Sequence, residues 1–435
     1  MSVEQEFLRL AEEPELQVAR RRLMARHSGS HQEYGNPTDD FLGEGEKVEA
    51  SVIKPRYYGE LLAWALKRYI EIEGWRVTRT LGYLYPEPVY IAVNTSYGEC
   101  QNAIRNGLLL VEKGEDCFAI AVDTNLRSYN MVVVTGLACK EKGVDEFANG
   151  IETVATKQNF YRGKNLELGR HIRFLKPPAR NWDSIVLDVG IKNEIWGNTI
   201  GFLTNREHLA NYGIPSKRGV LLTGEPGTGK TVICKALVME SSEITCIIAN
   251  AYSLETPEYI TELYELAQDL SPCIVFIEDI DFIAQNRMES GYFGGSALFS
   301  LLSALDGVEE HEEVVTVATT NWLEIIDKAI GERPARFDCV IKLSLPSLEQ
   351  REELISLVCK RIPIDEATQA YIARKAERCS PAQLQEIIYS LVIAYSDGQS
   401  PYLKLNTNDI DNAISKVKMG RHHLGFDMLR NRRSD

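Results

Sequence analysis

The stretch Val220-Leu221-Leu222-Thr223-Gly224-Glu225-Pro226-Gly227-Thr228-Gly229-Lys230-Thr231-Val232 decides the fold. It opens on a short apolar run of buried-strand type. The next eight residues fit G-x-x-x-x-G-K-[ST] at every position, and a helical pattern follows over residues 232–240. Glycines are needed because the backbone must fold tightly round a phosphate, often at positive φ. The N-terminus of the following helix adds partial positive charge. Lys230 is expected to reach the β- and γ-phosphates of a nucleotide, and Thr231 to offer its hydroxyl to Mg²⁺. The expected nucleotide-binding set is Gly224, Glu225, Pro226, Gly227, Thr228, Gly229, Lys230, Thr231 and Val232.

Outward from the loop, short runs of buried-strand type at 244–249, 274–277, 314–318 and 340–343 alternate with helical stretches. Such alternation predicts a parallel sheet with helices on both faces, an α/β fold. The run Cys273-Ile274-Val275-Phe276-Ile277 ends in Glu278-Asp279-Ile280-Asp281, placing carboxylates at a strand end. There they can serve a metal's water shell and polarise an attacking water. The run at 314–318 ends in Thr319-Thr320-Asn321, where Asn321 can orient that water or sense the γ-phosphate. Ahead of the last strand, Arg333 and Arg336 flank the rigid Pro334-Ala335 turn. Arginines on a loop can stabilise phosphoryl charge, including in a neighbouring subunit. The expected catalytic set is Glu278, Asp279, Asn321, Arg333 and Arg336, with Thr231 and Glu278 at the metal.

The loop, the acidic strand end, the polar strand end and the arginine pair, in this order, resemble the AAA family of ring ATPases over about residues 180–418. The resemblance implies a five-stranded parallel core, a helical lid, ATP and Mg²⁺, a homo-oligomeric ring (a hexamer, with a heptamer as the alternative), and remodelling of another macromolecule. It implies that Arg333 and Arg336 act in trans and that Asn321 is a sensor. Asn181-Trp182-Asp183-Ser184-Ile185-Val186-Leu187 resembles the family's lead-in strand that lines the adenine pocket. Three details are similar to the branch of the mitochondrial chaperone that moves a folded Rieske protein, and to its soluble bacterial relatives. These are the Glu278-Asp279 order, the lead Tyr212-Gly213-Ile214-Pro215, and Ser380-Pro381-Ala382-Gln383 opening a lid helix. Tyr161-Arg162-Gly163-Lys164 resembles that branch's exit from the N-terminal domain. Exchanging the two acids assigns the metal to Glu278 and water activation to Asp279.

The remaining chain gives organisation more than chemistry. Residues 1–50 are polar and turn-rich, read as an N-terminal arm, partly disordered. Residues 51–178 mix a helical period beginning at Tyr58 with strand-like runs at 89–93, 118–122 and 131–134, an α+β domain expected to recognise the partner. Pro177, Pro178 and Trp182 mark a boundary, so 179–345 is the nucleotide-binding domain. After Pro346 the strands cease, and capping pairs Ser347/Gln350, Ser380/Gln383 and Asn406/Asp409 announce a helical lid over 346–418. A basic tail fills 419–435.

A net charge of −14 argues against broad nucleic-acid affinity, despite the Arg20-Arg21-Arg22 cluster and the basic tail. The nine cysteines show no Cys-x-x-Cys pair, which favours reduced core thiols over a disulfide frame or a zinc site. No apolar run reaches the length of a membrane span, and the acidic N-terminus fits neither a secretory signal nor a presequence, giving a cytoplasmic expectation. The stretch from Asn250 to Tyr259 lacks the aromatic-Gly pair of a threading pore loop, and Tyr259 and Tyr264 read as helix packing positions. A second pore candidate is Glu289-Ser290-Gly291-Tyr292-Phe293-Gly294-Gly295. The leading expectation is an ATPase that remodels or translocates a protein partner without threading it. The alternatives are a nucleotide-gated switch in a signalling or defence assembly, and a nucleic-acid motor, which needs a positive channel.

Overall fold

The computed structural model describes residues 36–124, 129–169, 171–176, 181–254, 256–283, 300–305, 312–324, 337–395, 403 and 405–423. Outside them lie the chain before residue 36 with its arginine cluster, Pro177 and Pro178, the aromatic loop at 289–295, Arg333 and Arg336, and the basic tail from 424 on. The chain divides into two compact units between Phe160 and Tyr161.

The first unit runs α1 (Pro37–Leu42), β1 (Lys47–Pro55), α2 (Gly59–Glu73), β2 (Arg76–Leu81), β3 (Val89–Ser96), β4 (Glu99–Lys113), β5 (Asp116–Asp123), β6 (Tyr129–Leu137) and α3 (Glu141–Lys157). Its antiparallel sheet has the order β1-β6-β5-β4-β2, with β3 also paired to β4. Ala119, Ala121, Met131 and Val133 pack with Leu42 of α1 on one face. On the other, Phe118 meets Phe147 of α3 edge-on at 5.7 Å, and Tyr69 of α2 meets the same ring at 4.9 Å. Strands covered on both faces read as unbroken apolar runs, which is why β5 and β6 were legible. Residues 36–50, assigned on composition to the arm, instead begin this unit. Asn36 caps α1 through Thr38 N–H at 3.1 Å, and β1 pairs with β6 from Lys47 opposite Leu137. Their polarity is that of an edge strand, with one side unpaired.

The second unit begins with β7 (Asn165–Leu168) and β8 (Ile172–Phe174), followed by α4 (Val189–Gly197), α5 (Ile200–Thr204), α6 (Arg206–Ala210), β9 (Arg218–Gly224), α7 (Lys230–Glu240), β10 (Thr245–Asn250), α8 (Pro257–Asp269), β11 (Cys273–Glu278), β12 (Val314–Thr320) and β13 (Cys339–Leu343). The sheet order is β13-β9-β12-β11-β10-β7-β8. The first five strands are the expected parallel core; β7 extends it in parallel and β8 closes it antiparallel. Residues 273–277 of β11 are all 0% exposed, the signature of a central parallel strand covered on both faces.

The β7–β8 extension moves the unit boundary from the expected 178/179 to 160/161. Arg162 donates to the carbonyl of Asp269 at 2.7 Å, Gly163 N–H to Thr245 Oγ1 at 2.9 Å, and buried Tyr161 stacks on Phe174 at 5.7 Å. The Tyr161-Arg162-Gly163-Lys164 run is thus the entry of the second unit.

Helices α9 (Leu348–Cys359), α10 (Glu366–Lys375), α11 (Pro381–Tyr395) and α12 (Thr407–His423) form the lid around Ile355, Ile372, Ile387, Ile388 and Ile410. Gln350 N–H donates to Ser347 Oγ at 3.3 Å while Ser347 N–H donates to Gln350 Oε1 at 2.9 Å. The same reciprocal pattern joins Ser380 with Gln383 and Asn406 with Asp409. Each cap contributes about 1 kcal/mol by satisfying otherwise orphaned helix donors. The last helix passes the expected end at 418 and reaches His423. No helix among the described residues is long and apolar enough to cross a membrane.

Candidate active site

The phosphate loop hangs between β9, buried in the sheet, and α7, whose inner face (Ile233, Cys234, Ala236, Leu237) packs into the same core. Gly227 and Gly229 take φ values of 80° and 104°, a region that side chains with a Cβ rarely adopt. A Cβ on Gly224 would sit 2.6 Å from the carbonyl oxygen of Leu343, so β13 enforces that glycine by contact. Thr228 closes the turn, its hydroxyl donating to the carbonyl of Glu225 at 2.8 Å. The first N–H groups of α7 have no intrahelical acceptor, which suits them to a phosphate.

Lys230 lies at the first position of α7 and is 7% exposed. Its ammonium donates to the carbonyls of Gly224 at 2.7 Å and Glu225 at 3.2 Å. Burial lowers its proton affinity below that of an ordinary lysine, and the nearby Asp279 and Asp281 oppose that effect. A buried cation held by two loop carbonyls, glycines at positive φ and an exposed Thr231 side chain on the first helical turn fit a nucleotide phosphate with its metal.

Strands β11 and β12 bring the acidic and polar ends together. Asp279 sits at φ 55°, its N–H bonded to Thr319 Oγ1 at 3.1 Å. Asn321 donates its side-chain amide to Asp279 Oδ1 at 3.3 Å. Burial and the charge of Asp281 raise the carboxyl pKa of Asp279, while Lys230 and the Asn321 bond pull it down. Glu278 ends β11 opposite Asn250 of β10, and its charge acts on the buried thiol of Cys234 in α7. Lys230, Glu278, Asp279 and Asn321 therefore gather at one end of the sheet, beside Gly224 to Thr231.

Three features were not singled out from the sequence. Asp281 is 4% exposed and accepts hydrogen bonds from Thr320 Oγ1 at 2.9 Å and Asn321 N–H at 3.3 Å. The Ser380 turn of the lid touches the loop through Ala382 N–H and the carbonyl of Gly227. Asp338, closing the arginine-bearing segment, accepts Gly219 N–H at 2.7 Å, beside the buried Phe337. A third acid two residues after Asp279 and a capping pair were visible, but their partners are distant in sequence. The expected lead-in strand is instead a 3-10 turn over Trp182–Ser184; Trp182 lies in the core beside Trp196, and its backbone N–H donates to Glu240 Oε1 at 3.0 Å. Tyr264 is buried, with its hydroxyl 2.9 Å from Thr316 Oγ1, as a packing position requires.

Residues 220–345 match the family model described as "ATPase family associated with various cellular activities (AAA)". The proteasome-activating nucleotidase of Saccharolobus solfataricus is 32% identical over 233 residues, 51% of this chain and 58% of that protein. That of Methanococcus maripaludis strain C7 is 30% identical over 277 residues, 58% of this chain and 67% of that protein. The match to the Saccharolobus relative thus spans little more than half of its length. These relatives bear a different name from the Rieske-protein branch that the motif details resembled.

Proposed function

The chain belongs to the AAA family of ATPases, and from that premise we propose that it hydrolyses ATP and couples hydrolysis to remodelling or translocating a protein partner. The phosphates lie against Gly224, Glu225, Pro226, Gly227, Thr228, Gly229, Lys230, Thr231 and Val232. Thr231 and Glu278 would hold Mg²⁺, which when bound would neutralise phosphate charge. Asp279 takes the proton of the attacking water, and Asn321 orients that water. Arg333 and Arg336 of a neighbouring subunit stabilise the charge developing on the γ-phosphoryl group.

The observation that carries the reading is the 3.3 Å bond from Asn321 to Asp279, made beside a glycine loop with a buried lysine. Phosphate release by the purified chain tests it. Asp279→Asn should slow turnover by about 10²–10⁴-fold, as loss of a positioned base does, and keep bound ATP. Lys230→Ala should lose ATP affinity. Unchanged turnover in Asp279→Asn removes that residue from catalysis.

The ring, a hexamer or a heptamer, follows from arginines that serve the next subunit. Mass measurement with and without ATP decides it. The first unit, rich in fold and empty of motifs, is where a partner is recognised. The stretch from Asn250 to Tyr259, which lacks an aromatic-Gly pair, supports a machine that shifts a folded partner. ATP-driven unfolding of a tagged generic substrate would contradict that finer reading. The relatives' name supports a second one, in which the chain feeds a protease, checked by ATP-dependent degradation with a purified proteasome.

A further inference from the structure

We infer that Asp281 is a positioning residue for hydrolysis: through Thr320 and the main chain of Asn321 it fixes the direction in which the Asn321 amide reaches Asp279. The inference rests on the hydrolysis reading above. An acid that merely ended a strand would be solvated, or would cap the turn that follows. Asp281 is instead 4% exposed, and among the described residues its side-chain hydrogen bonds reach across to the end of β12.

The geometry is a clamp. Thr320 Oγ1 has one proton, committed to Asp281 Oδ1 at 2.9 Å, and a lone pair that takes Trp322 N–H at 3.0 Å. Asn321 N–H, between them, goes to the same Asp281 oxygen at 3.3 Å. The backbone on both sides of Asn321 is thereby held, and its side chain is left to meet Asp279 at 3.3 Å. The opposite strand end is held in turn, since Asp279 N–H bonds Thr319 Oγ1 and Ile280 N–H bonds the carbonyl of Thr319 at 3.0 Å. Thr319 and Thr320 are 1% and 0% exposed, so water does not compete for these bonds. A catalytic amide is only as well aimed as the backbone that carries it, and small errors of position are costly in rate.

Single-turnover and steady-state ATPase rates, with the affinity for a fluorescent ATP analogue, test the inference. Asp281→Ala and Thr320→Val should each lower kcat by about tenfold or more while affinity stays within about twofold. Asp281→Asn keeps an acceptor at the same place, and Thr320→Ser keeps the hydroxyl, so both should recover most of the rate. On an Asn321→Ala background, Asp281→Ala should cost nothing further, an outcome that a general loss of packing would not give. A wild-type chain that releases no phosphate refutes the hydrolysis reading, and the inference with it. Wild-type turnover that Asp281→Ala and Thr320→Val leave unchanged overturns the inference alone. So does a loss that persists in full on top of Asn321→Ala.

Discussion

Ala382 donates its backbone N–H to the carbonyl of Gly227 at 3.2 Å, so the first turn of α11 rests on the phosphate loop. A Cβ built on Gly227 would lie 2.8 Å from Ser380 Oγ and 3.0 Å from Ala382 Cβ, at a φ of 80°. Gly227→Ala therefore meets both backbone strain of about 1–3 kcal/mol and a collision with the lid. ATP affinity should fall by about tenfold or more, each 1.4 kcal/mol being a factor of ten. Binding of a labelled nucleotide measures it, and wild-type affinity in the variant would show that the lid yields freely.

Arg351 is buried in the lid, with its Nε donating to the carbonyl of Ala373 at 2.8 Å and Nη1 to that of Pro346 at 3.0 Å. Replacing it with methionine keeps the bulk and removes both donors. Charged hydrogen bonds of this kind contribute about 1.5–3 kcal/mol each, so losing both in Arg351→Met should destabilise the lid by roughly 3–6 kcal/mol. Denaturant titration followed by hydrogen exchange of α9 and α10 reads this. An unchanged midpoint refutes it.

Burial pushes the Cys246 thiol from an ordinary 9.0 up to about 12. Cys234 and Cys273, also buried, are raised in the same direction. The folded chain thus keeps protons that the unfolded chain gives up. Stability from this source is complete below pH 9 and is lost as pH rises toward 12, by about 1.4 kcal/mol per pH unit for one fully protonated thiol. The melting temperature should decline across this window, and less steeply in Cys246→Ala. At neutral pH a maleimide should label the exposed Cys100 and Cys139 and spare Cys246 until the chain is unfolded. A flat alkaline profile, or early labelling of Cys246, would contradict the burial argument.

If Arg333 and Arg336 act on the next subunit, the double variant Arg333→Ala/Arg336→Ala should hydrolyse ATP at a small fraction of the wild-type rate. The Lys230→Ala variant should also be inactive. Mixing the two should restore part of the rate, because an intact loop then meets intact arginines at some junctions. Trans arginines contribute about 10³–10⁵-fold to turnover in related phosphoryl transfers, so the recovery is easily measured. A mixture as inactive as its parts would place the arginines in their own subunit's site or in neither.

The nucleotide end of the sheet was legible because parallel strands buried on both faces leave near-continuous apolar runs, as residues 273–277 do and as 314–318 do but for Thr316. Capping pairs in the lid were legible because both partners lie within four residues of each other. The β7–β8 extension was not. Asn165-Leu166-Glu167-Leu168 alternates over only four residues, and nothing local says that Leu166 pairs with Ile247. β4 escaped for a related reason: its first half is polar, and only its second half is steadily buried. Asp281 was visible as a residue and silent as a participant, since its donors stand 39 and 40 positions away. The first unit gave its fold class and nothing of its chemistry.

Strand β9 has the phosphate loop at Gly224, while its second residue, Gly219, is tethered to Asp338, two positions beyond Arg336 in the chain. A seven-residue strand spans about 20 Å and is stiff under tension. A push that a ligand exerts on Gly224 would therefore have a direct route along β9 to Gly219 and Asp338. If Arg333 and Arg336 serve the next subunit, a protomer so built would report the filling of its own pocket by shifting what it offers next door.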